Sequence, residues 1–543
     1  MNRLFKLIAL VGAFIGAINS ADACTNFIVT RGASTDGSNM VTYAADSHGL
    51  YGALYQYIPG KYTELMDVTE WDTGRYIGKI AQQMERYRTL GNSNEHSLFI
   101  TETTFGGRPE LEDPNGGIDY GSLIYITLQR AKTAREAIDI IVDLANTYGY
   151  CSSGESFSLI DQNEAWIMEL IGKGPNDKGI VWVARRIPDG YVCAHANQAR
   201  ITTFPWDDPE NCIYAADVAD VARKFGWFEG QDKDFSFADA YAPLDFGAMR
   251  GCEARVWSFF RAVADDMDQY EDYAMGHNPN NRMPLWVKPN TKISPKMLMD
   301  AMRDHYEGTK MDMTTDIGAG GEGCPYRWRP MYFEVDGVEY CNERATATQQ
   351  TGFWLVGQAR PEKVGILWFG TDDAATSPLT PIYVNSLEVP ECLRVGNGSM
   401  LQYSDTSMFW ITNRVAQFAY LRYNLVGAKV REYVDSWENE AIKAVETMDM
   451  HIANISNREK KARQMATDFS VECAQQLFNL WTNLDKYLMV KYIDGNVKGE
   501  ENGKFVDNGN GKDIPGIIEM PGYSENWKRA VAADKGEILR VVK

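Results

Sequence analysis

Short apolar, β-branched runs punctuate this chain as far as Phe369, and beyond Met408 the apolar spacing turns helical through Tyr492. At the front, Thr25–Thr30 reads as a strand, Gly32-Ala33-Ser34-Thr35-Asp36-Gly37-Ser38 as turn chemistry and Met40–Ala45 as a second strand, which predicts a hairpin. Further strands fall at Ser97–Thr101, and at Phe157–Ile160 and Ala165–Ile171 across the turn Asp161-Gln162-Asn163-Glu164. Ile180–Ile187 and Tyr191–Ala196 flank Pro188-Asp189-Gly190, and Gly352–Gln358 and Val364–Phe369 come later. Helices intervene. Ala131–Tyr148 is amphipathic, and Pro295–His305 has Ser294 as N-cap and Pro295 at its first position. The tail after Asp494, rich in Gly, Asn and charge, reads as a loosely held extension. Strands with helices packed on them predict an α+β fold.

The segment before the hairpin has a different pattern. A basic start (Arg3, Lys6), an apolar run from Leu7 to Ile18 and the small-x-small ending Ala21-Asp22-Ala23 predict a signal peptide over residues 1–23, cleaved before Cys24. The run is shorter than the ~20 apolar residues that span a bilayer, and nothing later resembles a span. The expectation is an exported protein, periplasmic or secreted. The rival is lipidation of Cys24, which would tether the chain and block its amine; Ala21 is a poor match, because lipid-anchoring signals usually carry a large aliphatic residue there.

Composition narrows the class without naming an activity. A chain 44% hydrophobic and 12% aromatic is too rich for disorder, and a net charge of −20 argues against nucleic acid or an anionic membrane as partner. No Pro/Ser-rich linker or repeat divides the chain before about residue 490, which points to one large elaborated domain. The nine cysteines are scattered without a C-x-x-C pair, and Cys324 and Cys341 are the nearest candidates for pairing in an oxidising compartment. None of the six histidines lies i, i+4 from another, which argues against a histidine-based metal centre, and the functional reading below implies no metal or organic cofactor.

Cleavage before Cys24 would put a thiol and a free α-amine on one residue. An α-amine with pKa ~7.7–8.0 is poised to take a proton from a thiol of pKa ~8.5, so no histidine is needed as base. His48, His96 and His195 are therefore not required for a Cys-His dyad.

Several ordered segments carry a family likeness. Cys24-Thr25-Asn26-Phe27-Ile28-Val29-Thr30 with the following turn resembles the mature start of bacterial dipeptidases of the dipeptidase A type, N-terminal-nucleophile hydrolases related to penicillin V acylases and bile-salt hydrolases. The likeness continues in order through Gly154-Glu155-Ser156-Phe157-Ser158, Val181-Trp182-Val183-Ala184-Arg185-Arg186, His195-Ala196-Asn197-Gln198-Ala199-Arg200-Ile201 and His305-Tyr306-Glu307-Gly308-Thr309. It ends with Pro325-Tyr326-Arg327-Trp328-Arg329-Pro330 and Thr348-Gln349-Gln350-Thr351-Gly352. The resemblance implies an αββα sandwich with a mostly helical C-terminal part: a peptidase domain over 24–430 and a helical extension with polar tail over 431–543.

It also implies roles. Cys24 matches the nucleophile, attacking an amide carbonyl to give a thioester that water hydrolyses. Asp46 matches an aspartate near the thiol, able to orient the α-ammonium. Asn197 matches a side-chain oxyanion donor, and Thr104 the residue that offers a second donor through its backbone N–H. Relatives carry an arginine where this chain has Tyr43, and Arg255 is the candidate substitute. Glu102 or Asp46 is expected to receive the free ammonium of a substrate. The aromatic stretches Tyr326-Arg327-Trp328 and Ile366-Leu367-Trp368-Phe369 read as core and sheet-edge packing. The expected activity is hydrolysis of short peptides, dipeptides above all, with homo-oligomerisation left open. An amidase or acylase acting on a penicillin or conjugated bile acid is the alternative enzyme, and a lipid-anchored envelope protein that binds without chemistry is the alternative of another class.

Overall fold

The computed structural model describes residues 24–455 and 458–542. The expected signal peptide, residues 1–23, lies outside the described residues. Two antiparallel sheets dominate. In the first, Trp286–Val287, Val192–His195, Asn26–Val29, Asn39–Asp46, Thr351–Ala359, Ile366–Thr371 and Thr380–Tyr383 lie side by side in that order. In the second the order is Cys212–Tyr214, Ile180–Arg186, Ala165–Gly172, Gly154–Ile160, Phe99–Gly106, Ser93–Asn94, Thr89–Leu90 and Gln56–Tyr57.

Period-2 alternation sorts the side chains of these strands into layers. Ile28, Val41, Tyr43, Leu355 and Phe369 of the first sheet share a buried cluster with Ile167, Ile171 and Val181 of the second, which is the core between the sheets. Their alternates Phe27, Val29, Met40, Trp354 and Val356 meet Trp257, Phe260, Leu298 and Ala441 of the helices that cover the first sheet. Ile100, Phe157, Leu159 and Met168 meet Ile124, Ile138, Ile141 and Leu144 of Tyr120–Leu128 and Ala134–Tyr148 on the far side of the second. Helix, sheet, sheet and helix make the αββα sandwich that the sequence leads one to expect.

The opening hairpin forms between Asn26–Val29 and Asn39–Asp46, with Ile28 opposite Val41 and Val29 opposite Met40. Gly37, at φ +77°, takes the left-handed position in the intervening turn. Several expected elements shift. The strand expected at Ser97–Thr101 runs Phe99–Gly106, because Ser97 (φ 62°) still belongs to the preceding turn. The helix expected to reach His305 stops at Ala301: Arg303 leaves it to bond the Ala374 carbonyl and Glu438, and Tyr306 adopts φ 63°.

Three helices, Met408–Leu421, Tyr423–Ala453 and Arg458–Tyr492, form the C-terminal part. Residue 430, the expected domain boundary, falls inside Tyr423–Ala453, whose Ala441 and Val445 pack into the layer covering the first sheet. The tail after Asp494 is exposed, yet it forms two short ladders and the helix Glu525–Leu539, which the sequence reading did not foresee. Also unforeseen is an arm, the hairpin Leu65–Thr69 with Tyr76–Ala81. No described helix is long and apolar enough to cross a membrane.

Candidate active site

Cys24 heads the first strand and is buried at 4% exposure. Its Sγ lies 3.4 Å from Glu102 Oε1 and 3.9 Å from the Tyr43 hydroxyl. The Tyr43 hydroxyl donates to the same Glu102 oxygen at 2.5 Å. Where the likeness called for an arginine, this chain therefore places a phenol that holds a carboxylate against the thiol.

A second acid backs the first. Thr104 Oγ1 donates to Glu155 Oε1 at 2.6 Å, and the remaining oxygens, Glu102 Oε2 and Glu155 Oε2, are buried without an ordinary donor. Burial pushes both carboxyls up. Glu102 reaches about 7, although hydrogen bonds from Tyr43, Glu155 and Cys24 draw it down. Glu155 stands well above the carboxylate range because burial and then the charge of Glu102 both disfavour its ionisation. Glu155 thus keeps its proton, and Glu102 is the member that titrates near neutrality.

Beneath these acids the two sheets are pinned by a neutral network. His195 Nδ1 meets Thr103 Oγ1 and Nε2 meets Ser158 Oγ, each at 2.7 Å. Ser158 and Thr101 donate to Asn26 Oδ1, and Asn26 Nδ2 donates to the Glu102 carbonyl at 2.7 Å. Burial, and then the charge of Arg200, pull His195 down to about 3, so it is neutral and already committed at both nitrogens. His96 packs against the Tyr87 ring, and His48 lines the cavity above the thiol.

The expected partners converge on Cys24 through its backbone. Arg255, on the first turn of Ala254–Val263, donates Nη1 to the Cys24 carbonyl (2.6 Å) and Thr25 Oγ1 (2.8 Å), and Nη2 to Asn197 Oδ1 (2.9 Å). Asn197, at φ 61°, donates Nδ2 to the Thr104 carbonyl at 2.7 Å, so Arg255, Asn197 and Thr104 form one chain of contacts. The described contacts of Arg255 near Cys24 are with the carbonyl and the Thr25 hydroxyl.

Asp46 is buried, receiving Arg344 Nη2 on one oxygen and Thr351 Oγ1 on the other, both at 2.6 Å. Burial raises its pKa, and the charge of Arg344 works against that rise. Thr25 bridges Ala44, so the antiparallel register carries Cys24 to Ala45 and sets Asp46 one step further, on the side of the Cys24 nitrogen.

Above the thiol opens a cavity of about 250 Å³, walled among others by Tyr43, Asp46, Trp71, Tyr120 and Arg329. The structure thus gathers Cys24, Asp46, Glu102, Thr104, Asn197 and Arg255 into one place. Sequence reasoning gave no role to Glu155, although it quoted the segment, nor to Arg344; Tyr43 it read only as a departure. Cys324 and Cys341, the expected candidates for pairing, are not joined in a disulfide. Among the described residues, the one acidic group close enough to hold a metal ion, Asp300, Asp435 and Glu438, is bound by Lys296, Arg303 and Arg431.

The family model of peptidase family C69 matches residues 54–436, and the chain belongs to that family. The matched stretch begins after Cys24, so the case for the thiol rests on its own geometry. Among relatives, a probable dipeptidase of Salmonella dublin is 25% identical over 56% of this chain and 72% of its own length. Dipeptidase A of Lactobacillus helveticus is 22% identical over 82% of this chain and 92% of its own. A solved penicillin V acylase from Agrobacterium tumefaciens aligns with 70% of this chain and 94% of its own at 12% identity, with a TM-score of 0.29 that carries no argument.

Proposed function

We propose that this chain is an exported cysteine dipeptidase in which removal of residues 1–23 creates the catalytic base. Freed by cleavage, the α-amine of Cys24 would emerge beside Asp46, whose oxygens keep lone pairs for an ammonium beyond those used by Arg344 and Thr351. The amine takes the thiol proton, the sulfur attacks the substrate carbonyl, and the oxyanion is met by the Asn197 amide and the Thr104 backbone N–H. The leaving amine collects the proton, and water then hydrolyses the thioester. Arg255 acts by position, holding the Cys24 carbonyl and the Asn197 oxygen so that the amide nitrogen of Asn197 is the end presented. Glu102, against the sulfur, lies where the ammonium next to a scissile carbonyl would come to rest.

The observation that carries this reading is the buried thiol at the head of a strand, at the edge of a small cavity, with Arg255 bonded both to its own carbonyl and to Asn197. The names of the relatives support peptides as substrates. Mass spectrometry of the mature protein tests the first half: a free Cys24 amine is expected, and a diacylglyceryl adduct would overturn it. Cys24→Ala tests the second, with dipeptide hydrolysis expected to fall by roughly 10⁴-fold or more. Undiminished turnover, or turnover of N-acyl amides in preference to dipeptides, would refute it.

A further inference from the structure

We propose that the cavity over Cys24 recognises both charged ends of a dipeptide, Asp72 with Glu102 taking the free ammonium and Arg329 the free carboxylate. The inference rests on the dipeptidase reading and adds to it the reason for the length limit.

Asp72 is presented by construction. It sits at the tip of the arm formed by Leu65–Thr69 and Tyr76–Ala81, where Gly74 takes φ +68°. The tip is fastened over the cavity by its neighbour Trp71, whose backbone N–H donates to Asp119 Oδ2 at 2.8 Å. The Trp71 ring lies 4.8 Å from Tyr55 and 4.7 Å from Tyr125. Gly121 permits this approach, since a Cβ there would stand 2.5 Å from Trp71 Cβ. Tyr120 then donates its hydroxyl to Asp72 Oδ1 at 2.8 Å, which fixes the carboxylate of this exposed aspartate. The charge of Asp72 is felt at Glu102 and Glu155, so it stands on the acidic side of the thiol.

Arg329 is held by way of the Asp46 end of Asn39–Asp46. Its Nε and Nη2 donate to Gln350 Oε1 at 3.1 and 2.9 Å, and Gln350 Nε2 donates to the Asp46 carbonyl at 3.1 Å. That relay ties the guanidinium to the end of the strand opposite Cys24. Arg329 is exposed and lines the same cavity as Asp72 and Cys24. Acid, thiol and guanidinium therefore line a single small space.

This set of groups matches the substrate. In a dipeptide the ammonium lies two bonds before the scissile carbonyl and the carboxylate two bonds after the scissile nitrogen, the whole spanning about 7 Å when extended. The cavity, at about 250 Å³, is smaller than the ~300–1,000 Å³ of pockets for drug-sized ligands. A third residue at either end would carry its charge past the group meant to receive it. A fork of N–H donors suits a carboxylate, and a fixed carboxylate suits an ammonium.

The test uses the mature enzyme with two probes, alanyl-leucine and its C-terminal amide, which share an ammonium and differ in the carboxylate. The parent is expected to prefer the free acid in kcat/KM on the order of 10- to 100-fold, the effect of one charge-assisted contact. In Arg329→Gln that preference should collapse to about one. In Asp72→Asn both probes should weaken by a similar 10- to 100-fold, mostly through KM, with the preference retained. A preference unmoved by Arg329→Gln, or no loss in Asp72→Asn, would overturn the inference while leaving the dipeptidase standing. A parent with a free Cys24 amine that hydrolyses neither probe would overturn both readings together.

Discussion

Glu438 and Glu102 are both fully buried, yet their surroundings treat them in opposite ways. Arg303 grips Glu438 with both arms, Nη2 to Oε1 at 2.5 Å and Nη1 to Oε2 at 3.1 Å, while Leu379 N–H and Lys296 add to the same carboxylate. Among the described residues, Glu102 has no such cation. It faces a thiol, a phenol and a second carboxylate. The first arrangement is complete in itself and ties a C-terminal helix to the turn after the helix Pro295–Ala301. The second leaves a carboxyl poised near neutrality beside a thiol, the pattern that burial and like charge build at sites of chemistry.

Breaking the completed pair should have the largest effect on folding. Glu438→Gln takes the fully buried one of the two carboxylates from the Arg303 guanidinium, leaving only the half-buried Asp300 at 3.1 Å, and removing one partner of a buried pair costs about 3–5 kcal/mol. Urea denaturation should show a lowered midpoint by any probe, and hydrolysis per folded molecule should be unchanged. Stability within about 1 kcal/mol of the parent would mean that Asp300 or solvent takes over the pairing, and the contrast with Glu102 would lose its force.

Asn197 belongs to the other side of the contrast. It holds a φ of 61° that glycine adopts without strain, so Asn197→Gly removes the side chain while respecting the backbone. The expected result is a loss in kcat of ~10²–10³, as for an oxyanion donor, with little change in KM. A loss confined to KM would instead give Asn197 a role in binding.

The sequence carried the sandwich because its strands are bounded by turn residues and alternate cleanly, Phe27 with Ile28 and Trp354 with Leu355 facing opposite layers. Cys24, Asp46, Asn197 and Arg255 were legible through residue type and ordered likeness. What stayed hidden depends on long-range contact. Arg344 reaches Asp46 across almost three hundred residues, and nothing local in the sequence marks it. Asp72 sits in Trp71-Asp72-Thr73-Gly74, the tip of a hairpin that the sequence reading did not foresee, and nothing local marks the cavity beneath it. Tyr43 looked like a missing cation because sequence supplies the vacancy and only packing supplies Glu102 as its partner.

Titration separates the two glutamates most finely. A carboxyl whose folded pKa is raised keeps a proton that the unfolded chain surrenders, so its contribution is full below the unfolded value and is lost as pH rises. For Glu102 that window runs from about 4.5 to about 7, and above it the folded state carries an ionised acid in an unfavourable place. Glu102→Gln removes the titration while keeping shape and one hydrogen-bonding oxygen. The variant should match its parent near pH 4 and exceed it at pH 8 by on the order of 2–3 kcal/mol, while peptide hydrolysis falls because the ammonium loses its counter-charge. Urea midpoints measured across pH 4–8 read the difference directly. A variant less stable than its parent at pH 8 would put Glu102 in the same class as Glu438, a charge held for the fold, and would remove the reason to see the Glu102–Glu155 pair as part of the chemistry.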